Sequence, residues 1–175
     1  MVEWISWINE KLGRAVSWLT LALVILVFGN VCLRYLFNTP LAWAKELEWH
    51  LFALIFLFGA AYTLKHDRHV RVDLFYDKQE PPIKNQVNFW GTLLFLLPWC
   101  LVLIYTGWQS AVDAYRVGER SAEAGGLPNL WLIQFAIPVG LFFLFLQGLA
   151  LLVASRPGQA INSLDPANKV DKEPA

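Results

Sequence analysis

Residues 41–64 read LAWAKELEWHLFALIFLFGAAYTL, a polar beginning followed by an apolar run. Four ionisable side chains stand in the polar part: Lys45, Glu46, Glu48 and His50. A helix that spans a bilayer needs about 20 mostly apolar residues. The strictly apolar run, 51–64, is too short for that. A spanning helix must therefore begin near residues 42–47 and take the ionisable cluster into its first turns.

The rest of the chain contains three more apolar windows of spanning length, which gives predicted helices at about 15–37, 43–64, 87–108 and 130–154. Of the 175 residues, 57% are hydrophobic and 16% charged, whereas soluble domains carry about a quarter charged residues. The sequence predicts an all-α integral membrane protein with one four-helix domain, residues 1–155. The polar remainder, 156–175, is predicted to be a disordered cytoplasmic tail.

The distribution of Lys and Arg predicts the orientation, because basic residues concentrate on the cytoplasmic side. Four basic residues flank the helices on one side: Arg34, Lys45, Arg116 and Arg120. The other ten fall in the N-terminal segment, the loop between the second and third helices, and the tail. Both termini are therefore predicted to be cytoplasmic, with the 41–50 cluster on the outer face.

The segment before the first spanning helix has helical amphipathic spacing. Ile5, Ile8 and Leu12 recur on one side, and polar residues, including Asn9 and Glu10, fall on the other. This pattern predicts a short interfacial helix lying in the inner membrane surface.

The cluster at the start of the second helix has three interpretations beyond ordinary interfacial side chains. Trp43, Glu46 and His50 occupy one helix face, and Glu46 and His50 can share an i, i+4 hydrogen bond. The acidic groups, Glu48 included, can pair with Arg34 at the outer end of the first helix. They can also contact another protein, and an ion path is the weakest alternative.

Two loops carry further candidate residues. In KHDRHVRVDLFYD, residues 65–77, His69, Arg71 and Asp73 alternate with apolar residues, which favours an extended segment at the inner interface or a contact with another subunit. In VGERSAEAGGLPNLW, residues 117–131, the glycines and Pro128 indicate a defined outer turn. This second loop is either a connection or a docking surface, and its polar candidates are Glu119, Arg120 and Ser121.

Several function classes are not supported by the residues present. Fourteen basic and fourteen acidic residues leave no net charge for nucleic-acid binding. No loop is long enough for a catalytic domain, and no catalytic, cofactor-binding or metal-binding set is predicted. The membrane interior has no ionisable residue near a midplane, which ion-coupled carriers usually keep. Pro138 is expected to kink or loosen the fourth helix.

Two alternatives from other classes stay open on the residues alone. A redox subunit that holds haem or quinone needs axial ligands at matching depth, and only His50 lies near a spanning segment. A small dimeric exporter needs a buried carboxylate near a midplane, which the sequence lacks.

Three stretches, in this order, resemble a known family. They are RYLFNTPLAWAKELEW, FGAAYTLKHDRHVRVDLFY, and GERSAEAGGLPNLW followed by IPVG. Together they resemble the small membrane subunit of TRAP transporters, the DctQ type, over residues 14–154. One departure is HDRHV, where the family commonly has a glycine before the His-Val pair.

The resemblance implies a function that the spacing alone does not. It implies an accessory, non-enzymatic scaffold in the bacterial inner membrane, in contact with membrane lipid. The scaffold so implied supports a large elevator-type subunit of the DctM type, and that large subunit imports an organic acid with sodium. A periplasmic substrate-binding protein is the implied third partner.

Overall fold

The structure, a computed structural model, describes residues 2–39, 41–66 and 79–155. Within these ranges the regular structure is helical: α1 (Val2–Leu36), α2 (Ala42–Lys65), α3 (Pro81–Gly91), α4 (Leu97–Val117) and α5 (Trp131–Ala154). A π-helical turn, Thr92–Leu96, joins α3 to α4 as one rod. The result is four rods, each long and apolar enough to cross a membrane. The all-α, four-helix prediction is confirmed, while the orientation of the termini stays a prediction.

The first rod differs from the predicted division into an interfacial helix and a spanning helix. α1 runs for 35 residues without interruption. Its acidic Glu3 in the first turn and Arg34 in the last turn both suit the helix dipole. The location of the N-terminal turns in the inner interface stays a prediction, but they are continuous with the spanning part.

The third rod extends beyond the predicted 87–108 at both ends. Its first turn contains Pro81, at a position where the missing N–H costs nothing. At the other end, Ala111 and Ala114 are buried, and Gly118 ends the helix in the left-handed conformation at φ +65°. The helix therefore extends past the apolar window as far as the Gly118 cap.

The π-helical turn lies directly ahead of Pro98, which the sequence places in the middle of the third rod. Within the turn the Leu97 N–H bonds to the Thr92 oxygen, one residue further back than in an α-helix. A proline in a regular helix lacks an N–H and collides with the carbonyl four residues earlier. The wider turn accommodates that collision. Pro138, in contrast, is buried within α5, which continues through it.

The helices pack as a row in the order α1, α2, α5 and α4, and α1 also touches α5. Small residues allow close approach. At Gly140 of α5, an added Cβ would lie 2.8 Å from the Leu57 Cβ of α2. The row leaves large apolar side chains of the first and third rods exposed, such as Phe28 at 70% and Phe95 at 74%. These surfaces face lipid or another membrane protein.

Candidate functional site

Among the described residues, the buried carboxylate is that of Glu46, in the second turn of α2. Its side chain is buried, at 8% exposure. One carboxylate oxygen accepts the backbone N–H of Leu127 at 2.6 Å, and the other accepts the Ser121 hydroxyl. Both donors lie in residues 118–130, hereafter the α4–α5 loop. A helix residue thus anchors a loop that lies more than seventy positions later in the chain.

The α4–α5 loop also has its own internal hydrogen bonds. The Ser121 N–H donates to the Leu127 oxygen at 3.1 Å, and the Glu123 N–H donates to the Ser121 hydroxyl oxygen at 3.0 Å. Near its end, the Leu130 N–H donates to the Glu119 oxygen at 3.1 Å. Such bonds give the loop a defined path, as the predicted turn requires.

Two adjacent glycines allow the loop to fold around the carboxylate. Gly125 has φ +79°, a conformation that other residues adopt only with strain. A Cβ on Gly126 would meet the Ser121 side chain and would lie 2.9 Å from the Glu46 Oε1. Glycine at 126 is therefore required by the close approach of loop and helix.

The structure brings some of the predicted site residues together and separates others. Glu119 joins the loop to α5, because its carboxylate accepts the Gln134 amide at 2.5 Å. His50 is buried beside Glu46, but its Nδ1–H donates to the Glu46 backbone oxygen at 2.6 Å. The predicted side-chain pair is therefore replaced by a bond to the backbone.

The expected pairing of Arg34 with the acidic cluster is not formed within the described residues. Glu48 accepts the Asn30 amide of α1 at 2.7 Å, and the Glu46 carboxylate is held by the loop. The Arg34 guanidinium lies 6.0 Å from the Tyr35 ring. The Asn30 amide of α1 thus bonds to an acidic group that was predicted to pair with Arg34. The alternative, a contact with another protein, stays a prediction.

The surface around Glu46 is exposed and carries both positively and negatively charged side chains. Trp43, Arg120 and Pro128 are exposed, and the Lys45 ammonium lies 3.8 Å from the Glu123 carboxylate. An ion pair this exposed contributes little to stability. These groups are therefore available to a partner.

A second polar cluster lies at the opposite end of α2 from Glu46, where α2 packs against α1. The Glu10 carboxylate accepts Lys65 at 2.8 Å, and His66 and Arg14 lie within 3.4 Å. Lys65 also donates to the Ser6 backbone oxygen at 3.0 Å. Glu10, which the helical spacing places on the polar side of the N-terminal segment, is therefore bonded by groups from α2.

A buried amide pair joins α1 to α5 at the same end. The Asn9 Nδ2 donates to the Gln147 Oε1 at 2.7 Å, and both side chains are at most 2% exposed. The helical spacing placed Asn9 on the polar side of the N-terminal segment, whereas the structure buries it against α5. The signal that could have found it is its register with Ile5 and Val16, which are also buried.

Three predicted residues, His69, Arg71 and Asp73, lie outside the described residues, as does the predicted tail 156–175. Within the described ranges no three His, Cys, Asp or Glu side chains come together as a metal-binding group. His50 and His66 lie at opposite ends of α2. They do not form the facing pair that a haem would need.

Comparison with known proteins gives a consistent result. The sequence profile of the DctQ component of tripartite ATP-independent periplasmic transporters matches residues 23–157. The chain is 30% identical over 131 residues to the sialic acid TRAP transporter small permease protein SiaQ of Vibrio cholerae, which covers 72% of this chain and 70% of SiaQ.

Two further relatives are matched over smaller parts of their length. The chain is 42% identical over 53 residues to the C4-dicarboxylate TRAP transporter small permease protein DctQ of Vibrio cholerae, or 30% of this chain and 23% of that protein. It is 26% identical over 135 residues to the sialic acid TRAP transporter permease protein SiaT of Haemophilus influenzae, or 74% of this chain and 21% of SiaT. The matches thus span less than a quarter of each of these two relatives.

Proposed function

Since the chain belongs to the DctQ family of tripartite ATP-independent periplasmic (TRAP) transporters, we propose that it is the scaffold for a large permease subunit that carries the substrate. Family membership makes it a small permease subunit, a multi-pass protein of the bacterial inner membrane and not an enzyme. The redox and exporter alternatives have no comparable support.

The observation that carries the scaffold proposal is the incomplete packing of the row. α1 and α4 lie at its two ends and do not pack closely on each other among the described residues. The large apolar side chains on their outer surfaces include Trp18 at 73% and Trp99 at 66% exposure. A row with two open ends suits packing against a larger membrane protein.

The relatives support a large partner as well. The matched part of SiaT is 21% of a chain called a permease, so a segment similar to this chain forms a minor part of a longer protein there. By analogy, this chain works beside a large permease of the DctM type, with an elevator-type mechanism. The described charged side chains lie towards the ends of the helices, which agrees with transport taking place in the partner.

The substrate and its delivery are proposed from the same relatives. Their names specify C4-dicarboxylate and sialic acid, which are both organic acids. We therefore propose import of an organic acid with sodium, delivered by a periplasmic binding protein. The basic residues favour cytoplasmic termini, which puts the α4–α5 loop on the periplasmic side.

Co-purification tests the scaffold proposal. When the tagged chain is expressed with the large permease encoded beside it, we expect both to elute in equal amounts from a mild detergent. Alanine at the exposed pair on α1, Trp18 and Phe28, or at the pair on the third rod, Phe95 and Trp99, is expected to lower the amount of retained permease severalfold. Alanine at Trp4, exposed near the N-terminus, is the control. Failure of the unmodified chain to retain the permease would contradict the proposal.

A further inference from the structure

We infer that Glu46 is a positioning residue for a protein-docking surface: from a buried position it fixes the α4–α5 loop in the shape that a soluble periplasmic protein recognises. This inference rests on the proposed function, because it places that loop in the periplasm and takes the substrate-binding protein as the partner. Glu46 itself does not touch the partner.

The Glu46 carboxylate forms its hydrogen bonds with the α4–α5 loop. Its two oxygens accept from Ser121 and Leu127, which lie six positions apart, so one side chain fixes both sides of the turn. The bonding donors are a hydroxyl and a backbone N–H rather than a cation. A buried carboxylate is costly unless its hydrogen bonds are made. The loop donors supply these bonds, so carboxylate and loop depend on each other.

Neither glutamine nor alanine at position 46 would reproduce both of these contacts. A glutamine has one acceptor oxygen, and its NH2 group would face one of the two donors. An alanine would leave the Leu127 N–H without its partner. The contact is also tight, because a Cβ on Gly126 would lie 2.9 Å from the Glu46 Oε1. The path of the loop is thus fitted to this carboxylate.

The anchored loop presents a polar surface. The exposed positions between 118 and 129 are charged, polar or small: Gly118, Arg120, Ala122, Glu123, Ala124, Gly125, Pro128 and Asn129. Lys45 of α2 adds a cation beside Glu123. A surface with both charges and little apolar area suits a hydrated, reversible protein contact, in which charge complementarity sets partner choice. It does not suit insertion into lipid.

The experiment uses the complex of this chain with its large permease in lipid nanodiscs. The probe is the periplasmic binding protein encoded beside them, and its dissociation constant is measured by titration. Alanine at Glu46 is expected to weaken binding about tenfold, since the half-buried Leu127 N–H loses its partner and the loop loses its anchor. Glutamine at Glu46 and alanine at Ser121 should each give a smaller loss. Amide exchange in residues 118–130 should rise in the same order.

Two controls separate positioning from other roles. Glu48→Gln changes a carboxylate two residues away that bonds to α1 instead of the loop, so binding should stay within twofold of the unmodified complex. In proteoliposomes, Glu46→Ala should raise the half-saturating concentration of binding protein about tenfold while the maximal transport rate is retained. A role confined to membrane packing would lower the maximal rate instead.

The outcomes distinguish this inference from the proposed function. If the unmodified complex does not form or does not bind the binding protein, the proposed function fails. If it does bind, and Glu46→Ala binds equally well, the positioning role is overturned. A fall in maximal rate at unchanged half-saturation also overturns it. So does a response of the variants to anionic lipid rather than to the binding protein. If Glu46→Ala does not fold, the Ser121→Ala titration decides.

Discussion

Leucine in place of Gly140 is expected to destabilise the chain by about 3 kcal/mol, because it overpacks the seam between the two central helices. A Cβ at this position would lie 2.8 Å from the Leu57 Cβ and 3.3 Å from the Leu57 carbonyl carbon. The second contact is with backbone, which cannot rotate away as a side-chain tip can. α2 and α5 must therefore separate. The measurement is thermal unfolding of the purified chain in detergent.

Gly59 on α2 provides the matched control for Gly140. A Cβ at position 59 would meet no heavy atom within 4 Å among the described residues. Leucine there removes a poor helix former, so the free energy of unfolding should stay the same or rise by up to about 1 kcal/mol. Equal destabilisation by leucine at 59 and 140 would mean that the close α2–α5 seam is absent from the folded protein.

Glutamine in place of Glu10 is expected to cost about 2 kcal/mol, since hydrogen bonds to charged groups contribute more than neutral ones. The Glu10 carboxylate accepts Lys65 at 2.8 Å and lies 3.1 Å from the His66 Nε2. The Lys65 side chain is only 19% exposed, so water does not fully replace the negative charge that is lost. The weaker contact loosens the N-terminal turns of α1 from α2.

Glu3→Gln is the control for Glu10, because Glu3 lies in the first turn of the same helix and is exposed. Its exchange should change the unfolding temperature by less than that at Glu10. The comparison decides between two arrangements of the N-terminal segment. If the segment lies alone in the membrane interface, as the amphipathic spacing predicts, Glu10→Gln should be as mild as Glu3→Gln.

The number of spanning helices could be predicted from the sequence because lipid imposes a length on each apolar run. The same constraint placed the start of the second helix within its polar beginning, and α2 does begin at Ala42. The third rod was underestimated at both ends, since its last turns bury Ala111 and Ala114 without forming an apolar window. The length and hydropathy of an apolar run do not reveal contacts that small residues make with a neighbouring helix.

The partners of the polar groups could not be predicted, because helical spacing tells which side chains share a face and not which helix lies opposite. Glu46 was correctly singled out, but its donors, Ser121 and Leu127, come from a distant loop. The helical spacing placed Asn9 on the polar side of the N-terminal segment, together with Glu10. Only the packing of α1 on α5 places it against Gln147.

Transport in proteoliposomes tests the scaffold role most directly. Three preparations are compared for uptake of the radiolabelled acid that the neighbouring binding protein carries: this chain alone, the large permease alone, and both together, each with binding protein and a sodium gradient. We expect accumulation only with both subunits. Accumulation by this chain alone, or undiminished accumulation by the large permease without it, would contradict the scaffold role.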